Sequence, residues 1–272
     1  MPNTPSFETL LYDVDEAGVA TITLNRPERH NAFNATMAIE LEAVWRAVKA
    51  DPNVLCAIVT GAGDRAFCSG MDVADVASGE ALESGKMPRE SVPWNKLTPI
   101  QNECWKPVVS AINGMVVAGG LHFVIDCDLV LCSETATFFD THVKVGLIAG
   151  VEPVGLTRKI PLEAVLRLAL LGGSERMSAA EAHRLGMVGE VLPPDRLMPR
   201  ARELAHLISQ HSPTALAITK RCIWQSLDTG LDEALENTWD IIRAHNDHPD
   251  LKEGARAFVE KRNPSWAPYT GS

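Results

Sequence analysis

No run of 18 apolar residues occurs in the sequence; Asn, Asp, Glu or Gly breaks each hydrophobic stretch well short of a bilayer-spanning length. The opening segment MPNTPSFETL has neither a basic region nor an apolar core of the kind a secretory leader carries, so an unsecreted, cytoplasmic chain is expected. Cysteine motifs are missing too. The six cysteines, at 56, 68, 104, 127, 132 and 222, are dispersed through mostly apolar segments, with no C-x-x-C pair and no His-x-x-x-His nearby. That pattern points to buried free thiols and away from structural zinc or disulfides. Positive charge is scarce as well: 25 Lys and Arg stand against 35 Asp and Glu, a net charge of −10. A nucleic-acid binder usually shows a basic face, so that class is set aside, and any anionic ligand must be met by local Arg, Lys or backbone N–H groups.

The 272 residues are 46% hydrophobic and 22% charged, which suits one large core or a core with a smaller appendage. VATITL, 19–24, alternates with the period of a half-buried strand, and Asn34 is placed to cap a helix whose apolar positions are Met37, Leu41, Val44 and Val48. Asp51-Pro52 stops that helix. Leu55 to Val59 and Val108 to Ile112 read as short buried strands, GGLHFVI as a helix starting at the glycines, and DLVLC as another strand. Residues 77–96 show little periodicity and many Gly, Ser, Pro and charged residues, as expected of a long surface excursion. Strand, turn and helix recur without an exact repeat, which indicates an α/β core.

Beyond residue 160 the pattern turns helical. PLEAVLRLALLG ends at Gly172-Gly173, and Ser178-Ala-Ala-Glu181 is a capping box. From Ser212 three further helices follow, so the expected division is a core of residues 1–195 and a helical C-terminal region of residues 196–272. Trp224 and Trp239 lie on apolar stripes there, where packing or subunit contact is the ordinary role.

Chemistry centres on three stretches. AFCSGMD at 66–72 follows a buried strand, and INGMVVAGG at 112–120 joins a strand to a helix. Glycine-rich turns of this kind aim backbone N–H groups at a ligand, although each alone also suits a turn that serves only packing. The third stretch is FFDTHVKVGLIAG at 138–150. With "LNRPERHNAF", "AFCSGMDV", "INGMVVAGGLHFVIDCDLVLCSETATF", "VKVGLIAG", "ALLGGSERMSAAEAHRLGMVGEVLP" and "EGARAFVEKR" in this order and spacing, the chain resembles the enoyl-CoA hydratase/isomerase family, also called the crotonase superfamily, from about residue 8 to residue 264.

The resemblance implies a spiral of β-β-α repeats with a helical C-terminal trimerisation region, assembled as a homotrimer or a dimer of trimers. It implies an acyl-CoA substrate whose thioester enolate is held by two backbone N–H donors, which fall on Met71 and Gly119. Losing one such donor typically costs about 3 kcal/mol of transition-state stabilisation. Coenzyme A is expected near Arg26 or Arg29, along Ala66, Ser69 and Asp72, and against Phe258 and Lys261, the last two often from a neighbouring subunit. Neither a metal nor a redox cofactor is implied, and neither a nucleic acid nor a membrane partner.

Two positions depart from the hydratase pattern. Where hydratases of the family carry a pair of glutamates, this chain has His122 and His142. Either the site has decayed and the rings fill space, or two imidazoles, titrating near neutrality as a coupled pair, jointly position and deprotonate a water or an acyl chain; the second reading is favoured. The following turn reads GVEP where hydratases usually have GAGG, placing Glu152 near a wall that some branches use for catalysis. It is read either as an extra acid/base or, the preferred of the two, as a solvent-facing residue at a helix start. The remaining histidines carry no motif context. The expected activity is hydration of the 2,3 double bond of an enoyl-CoA; the alternatives are an isomerase, decarboxylase, hydrolase or C–C lyase acting on an acyl-CoA, or a non-catalytic acyl-CoA binding protein.

Overall fold

A computed structural model describes residues 6–72, 96–269 and 271. Two sheets share the core. The larger has six strands in the order β1-β2-β3-β5-β7-β10, and the smaller has four in the order β4-β6-β8-β9. The ranges are β1 Leu10–Val14, β2 Val19–Leu24, β3 Cys56–Gly61, β4 Ala66–Cys68, β5 Val108–Ile112, β6 Met115–Val117, β7 Leu129–Ser133, β8 Thr137–Phe139, β9 Met177–Ser178 and β10 Glu190–Leu192. From β3 to β8 consecutive strands alternate between the sheets, so β3/β4, β5/β6 and β7/β8 each add one strand to each sheet. Pairing is parallel from β2 through β3, β5 and β7 to β10 and from β4 through β6 to β8, which makes the path a spiral.

The larger sheet is covered on both faces, which explains why its central strands carry few polar residues. Ala20, Ile22, Leu24, Ala57, Val59, Val108 and Ile112 face the main core. Helix α1 (Ala35–Ala50) packs there through Met37, Leu41, Val44, Trp45 and Val48, and the Asn34 side chain accepts from Met37 N as the expected N-cap. The other residues of the same strands, Val19, Cys56, Ile58, Val109 and Ala111, meet Leu197, Ala201 and Ala205 of a helix at Pro194–Ser209. The expected divide between residues 195 and 196 falls inside this helix. Its buried stripe belongs to the sheet, so the core continues through it.

GGLHFVI does not start as an α-helix. The chain enters it through a 3-10 turn, Ala118–Leu121, with Ala118 in the left-handed region at φ 48°, and only then forms a single α turn, α2 (His122–Ile125). The next helices are α3 (Val151–Leu156), α4 (Leu162–Leu170) and α5 (Ala179–Arg184); the helix on the sheet is α6, followed by α7 (Pro213–Ser226), α8 (Leu231–His245) and α9 (Pro249–Glu260). Ser178 caps α5 by accepting from Glu181 N. The surface excursion expected at 77–96 lies, up to residue 95, outside the described residues.

The last helices are thinly packed. Ala234 is the one buried residue of α8, whereas Leu231, Leu235, Trp239 and Ile242 are exposed. Trp224 on α7 donates through Nε1 to Asp128 Oδ1 at 3.0 Å and borders a cavity of about 830 Å³ between α7 and the β7 side of the core. None of the residues read as catalytic lines that cavity. Among the described residues no helix is long and apolar enough to cross a membrane.

Candidate active site

Glycines bring two backbone segments together. Gly70 has φ +83°, and a Cβ there would lie 2.9 Å from Val117 O and 3.0 Å from Gly119 N, so the turn after β4 touches the turn after β6. A Cβ on Gly119 would stand 2.5 Å from Phe33 Cζ, and one on Gly120 would stand 2.4 Å from Cys68 O. No side chain fits at these contacts. Phe33 fixes the first turn from the other side: its N–H donates to Gly70 O at 2.9 Å, and its carbonyl accepts from Asp72 N at 3.0 Å. Those bonds flank Met71 and leave its own N–H outside the bridge. Gly119 N lies in the first turn of the 3-10 segment, where an amide has no intrahelical acceptor. Neither the Met71 nor the Gly119 amide donates to another backbone group among the described residues.

Asn31 supports this wall from within. It is fully buried, and its Nδ2 donates to Ala62 O and Ala66 O, both at 2.9 Å, while Oδ1 accepts from Arg26 N at 3.0 Å. Burial pushes the Cys68 thiol up to about 12, so it is protonated at neutral pH.

A second group of functional residues consists of side chains on α2, α3 and the turn after β8. His122 and Ile125 lie three residues apart on one face of α2, as do Glu152 and Gly155 on α3. Gly155 packs directly on Ile125, where an added Cβ would meet Ile125 Cγ2 at 2.6 Å. This close approach sets Glu152 opposite His122, with His122 Nε2 3.3 Å from Glu152 Oε1. Glu152 is therefore buried, at 6% exposure, and the preferred expectation that it faces solvent is corrected. The other His122 nitrogen, Nδ1, lies 3.4 Å from Gln101 Nε2. A Gln101 N–H donating to Nδ1 and an Nε2–H donating to Glu152 satisfy both contacts with one neutral tautomer.

His142 follows β8, at the start of a 3-10 turn, Val143–Val145, that Gly146 ends at φ 79°. Its Nδ1 lies 3.0 Å from each oxygen of Asp140, and its backbone N–H donates to Asp140 Oδ1 at 2.8 Å. Hydrogen bonding to Asp140 raises the pKa of His142, burial opposes the rise, and the charges of Glu152 and Asp140 add to it. For Glu152, burial acts against ionisation, but the His122 hydrogen bond and the fields of both rings outweigh it and hold the carboxyl below its usual range. The charges that act on His142 are carboxylates, and both rings act on Glu152, so the link between the two imidazoles runs through that carboxylate.

The residues expected at coenzyme A fall into three groups. Arg26 is engaged internally, with Nη1 donating to Ala32 O at 2.7 Å and Nη2 to Asp72 Oδ2 at 3.1 Å, so two of the expected contacts hold each other. Ala66 is buried in β4, while Ser69 and the exposed Arg29 border the same turn. Phe258, 86% exposed, and Lys261 lie at the end of α9 with no described residue placing them at the reacting groups. Sequence reasoning passed over Asp140, Gln101, Phe33 and Asn31. Asn31 and Phe33 lie within the quoted LNRPERHNAF, but only Asp140 carried a local signal of its contact, an Asp two residues before a His, the spacing of an Asx turn. Among the described residues no group of three or more His, Cys, Asp or Glu is placed to hold a metal ion.

The family model described as Enoyl-CoA hydratase/isomerase matches residues 15–268. The chain is 34% identical over 252 residues to (E)-benzylidenesuccinyl-CoA hydratase of Thauera aromatica, covering 91% of this chain and 95% of that protein. It is 30% identical over 249 residues to short-chain-enoyl-CoA hydratase of Clostridium acetobutylicum, covering 91% and 93%. A crystal structure of an enoyl-CoA hydratase/isomerase from Mycobacterium paratuberculosis superposes with a TM-score of 0.85 at 40% identity, over 96% of this chain and 99% of that one.

Proposed function

Because the chain belongs to the enoyl-CoA hydratase/isomerase family, we propose that it is a lyase that adds water across the 2,3 double bond of an enoyl-CoA, with His142 as its proton carrier. One observation carries this reading: an imidazole anchored through Nδ1 on a buried carboxylate, with Nε2 meeting no hydrogen-bond partner among the described residues, in a chain whose Met71 and Gly119 amides donate to no other backbone group among those residues.

The residues divide the work as follows. The thioester oxygen accepts from Met71 N–H and Gly119 N–H. Neutral His142 takes a proton from water through Nε2 as the water oxygen bonds to C3, and the π electrons of the double bond move toward the thioester to give an enolate. The same imidazolium returns its proton to C2, so that one water is added and the ring is regenerated. The amides meet the charge that develops on oxygen, and donors placed in advance for such charge supply the largest catalytic contribution in many enzymes. Glu152 stabilises the imidazolium between the two steps, and His122 holds Glu152 in place.

Coenzyme A is taken to lie beside Arg29 and Ser69. Phe258 and the exposed face of α8 suit a neighbouring subunit of a trimer, since apolar residues this exposed usually lie in a contact. A turnover assay over short, long and aromatic enoyl-CoAs tests the reading. The wild-type chain should hydrate at least one, and H142A should lose a hundredfold to about ten-thousandfold in kcat. Equal rates for wild type and H142A would overturn it, as would tight acyl-CoA binding without any turnover.

A further inference from the structure

We propose that Asp140 is a positioning residue of this reaction, locking the His142 ring so that Nε2 faces the substrate as the free base. The inference rests on the proposed role of His142 and adds a residue that does not itself touch substrate.

Asp140 is fully buried, immediately after β8, with both oxygens 3.0 Å from His142 Nδ1. A carboxylate enclosed to this degree is costly unless its lone pairs are satisfied. Here one backbone N–H and one ring N–H, both of His142, do so. A carboxylate only accepts hydrogen bonds, so the ring nitrogen it faces must carry the proton, and the neutral ring is confined to the Nδ1–H tautomer. The basic lone pair is then on Nε2. The backbone bond from His142 N fixes the chain that bears the ring to the same carboxylate, so side chain and main chain are registered by one group.

The other wall works differently. His122 presents its Nε2 to Glu152 and its Nδ1 to Gln101, so neither nitrogen is left over. The two histidines that look interchangeable in the sequence are therefore assigned different work: His142 as base, His122 as support for Glu152. The charged and titratable groups facing His142 are Asp140 after β8, Glu152 on α3 and, beyond Glu152, His122 on α2; Lys144 follows on its own turn and is exposed.

The test pairs kinetics with nitrogen NMR of 15N-histidine-labelled protein, the His142 signal being assigned by its loss in H142Q. In the wild-type chain at neutral pH the neutral ring should show the Nδ1–H tautomer, with a titration midpoint above that of an ordinary imidazole. In D140N the midpoint should fall, and the acid limb of kcat/KM for hydration should move to lower pH by the same interval. kcat should drop a hundredfold to about ten-thousandfold while the acyl-CoA dissociation constant changes less than about threefold. Asp140→Glu, which keeps the charge but displaces it, should retain the raised midpoint and recover only part of kcat. An Nε2–H tautomer in the wild-type chain overturns the proposal, and this result needs no variant to fold. So does a D140N chain whose midpoint and acid limb stay where they were, or one that loses binding in proportion to rate. If the wild-type chain turns over no enoyl-CoA, the hydration reading fails, while the NMR result still decides whether Asp140 sets the tautomer.

Discussion

The two walls of the site are built on opposite principles. The amide wall, from β4 and β6, is made of backbone, and side chains enter only by being absent, at Gly70, Gly119 and Gly120. The opposite wall consists wholly of side chains drawn from α2, the turn after β8 and α3, aligned by one helix contact at Gly155 and one Asx turn at Asp140. The first wall should hold its geometry at any pH. The second should set the pH at which the first is useful.

Substitutions that spare one wall and disturb the other separate these roles. Of the substitutions that leave His142 and Asp140 in place, the largest effect is expected from Gly120→Ala, whose methyl would stand 2.4 Å from the backbone oxygen of Cys68. Displacing the Gly119 amide should cost about a hundredfold to a thousandfold in kcat at every pH, leaving the acid limb of the profile in place; a shifted limb would break the separation. Glu152→Gln should cost less, on the order of tenfold to a hundredfold, and should move the acid limb to lower pH, because a carboxylate that favours the His142 imidazolium is gone.

Stability responds to pH through the same groups. His142 is raised, so the stabilisation of its protonated form is complete below the unfolded imidazole value and is lost as pH rises through the folded one. Glu152 is lowered from 4.5, so its share is present above that value and disappears as pH falls through the folded one. Below pH 4.5, where His142 is already protonated, urea unfolding should accordingly show Glu152→Gln losing less stability than wild type as the pH falls. The smallest effect belongs to Gly155→Ala. Its methyl meets the Cγ2 branch of the buried Ile125 side chain, which must shift to admit it, so a loss of about 1–3 kcal/mol in stability and less than about tenfold in kcat is expected. A larger rate loss there would mean that the His122–Glu152 alignment matters more than this account holds.

The amide wall was legible in the sequence because close backbone approach has a residue signature. CSGMD and VAGG announce it with glycine, and the Met71 and Gly119 amides that the resemblance points to donate to no other backbone group among the described residues. Strand β2 was readable from alternation, and α1 from its Asn34 cap and apolar stripe. Strands β4, β6 and β8 have three residues each, too few to express a period of two. Helix α6 was obscured by Pro194 and Pro199 and by a buried stripe of mostly alanines, which reads as a boundary until the sheet beneath it is seen. His122 and His142 stood out as residue types, but their division of labour did not, because it depends on which carboxylate each meets. Glu152 reaches His122 only through the packing of Gly155 on Ile125, a contact between segments about thirty residues apart that no local pattern encodes.

The central claim is that the Met71 and Gly119 amides grip a thioester oxygen while His142 Nε2 reaches the water that adds at C3. A crystal structure with a bound 3-hydroxyacyl-CoA tests it most directly. The account predicts the thioester oxygen within about 3.1 Å of both amide nitrogens and the 3-hydroxyl within hydrogen-bond reach of His142 Nε2. A thioester oxygen turned away from either amide, or a 3-hydroxyl nearer to His122 than to His142, would contradict it.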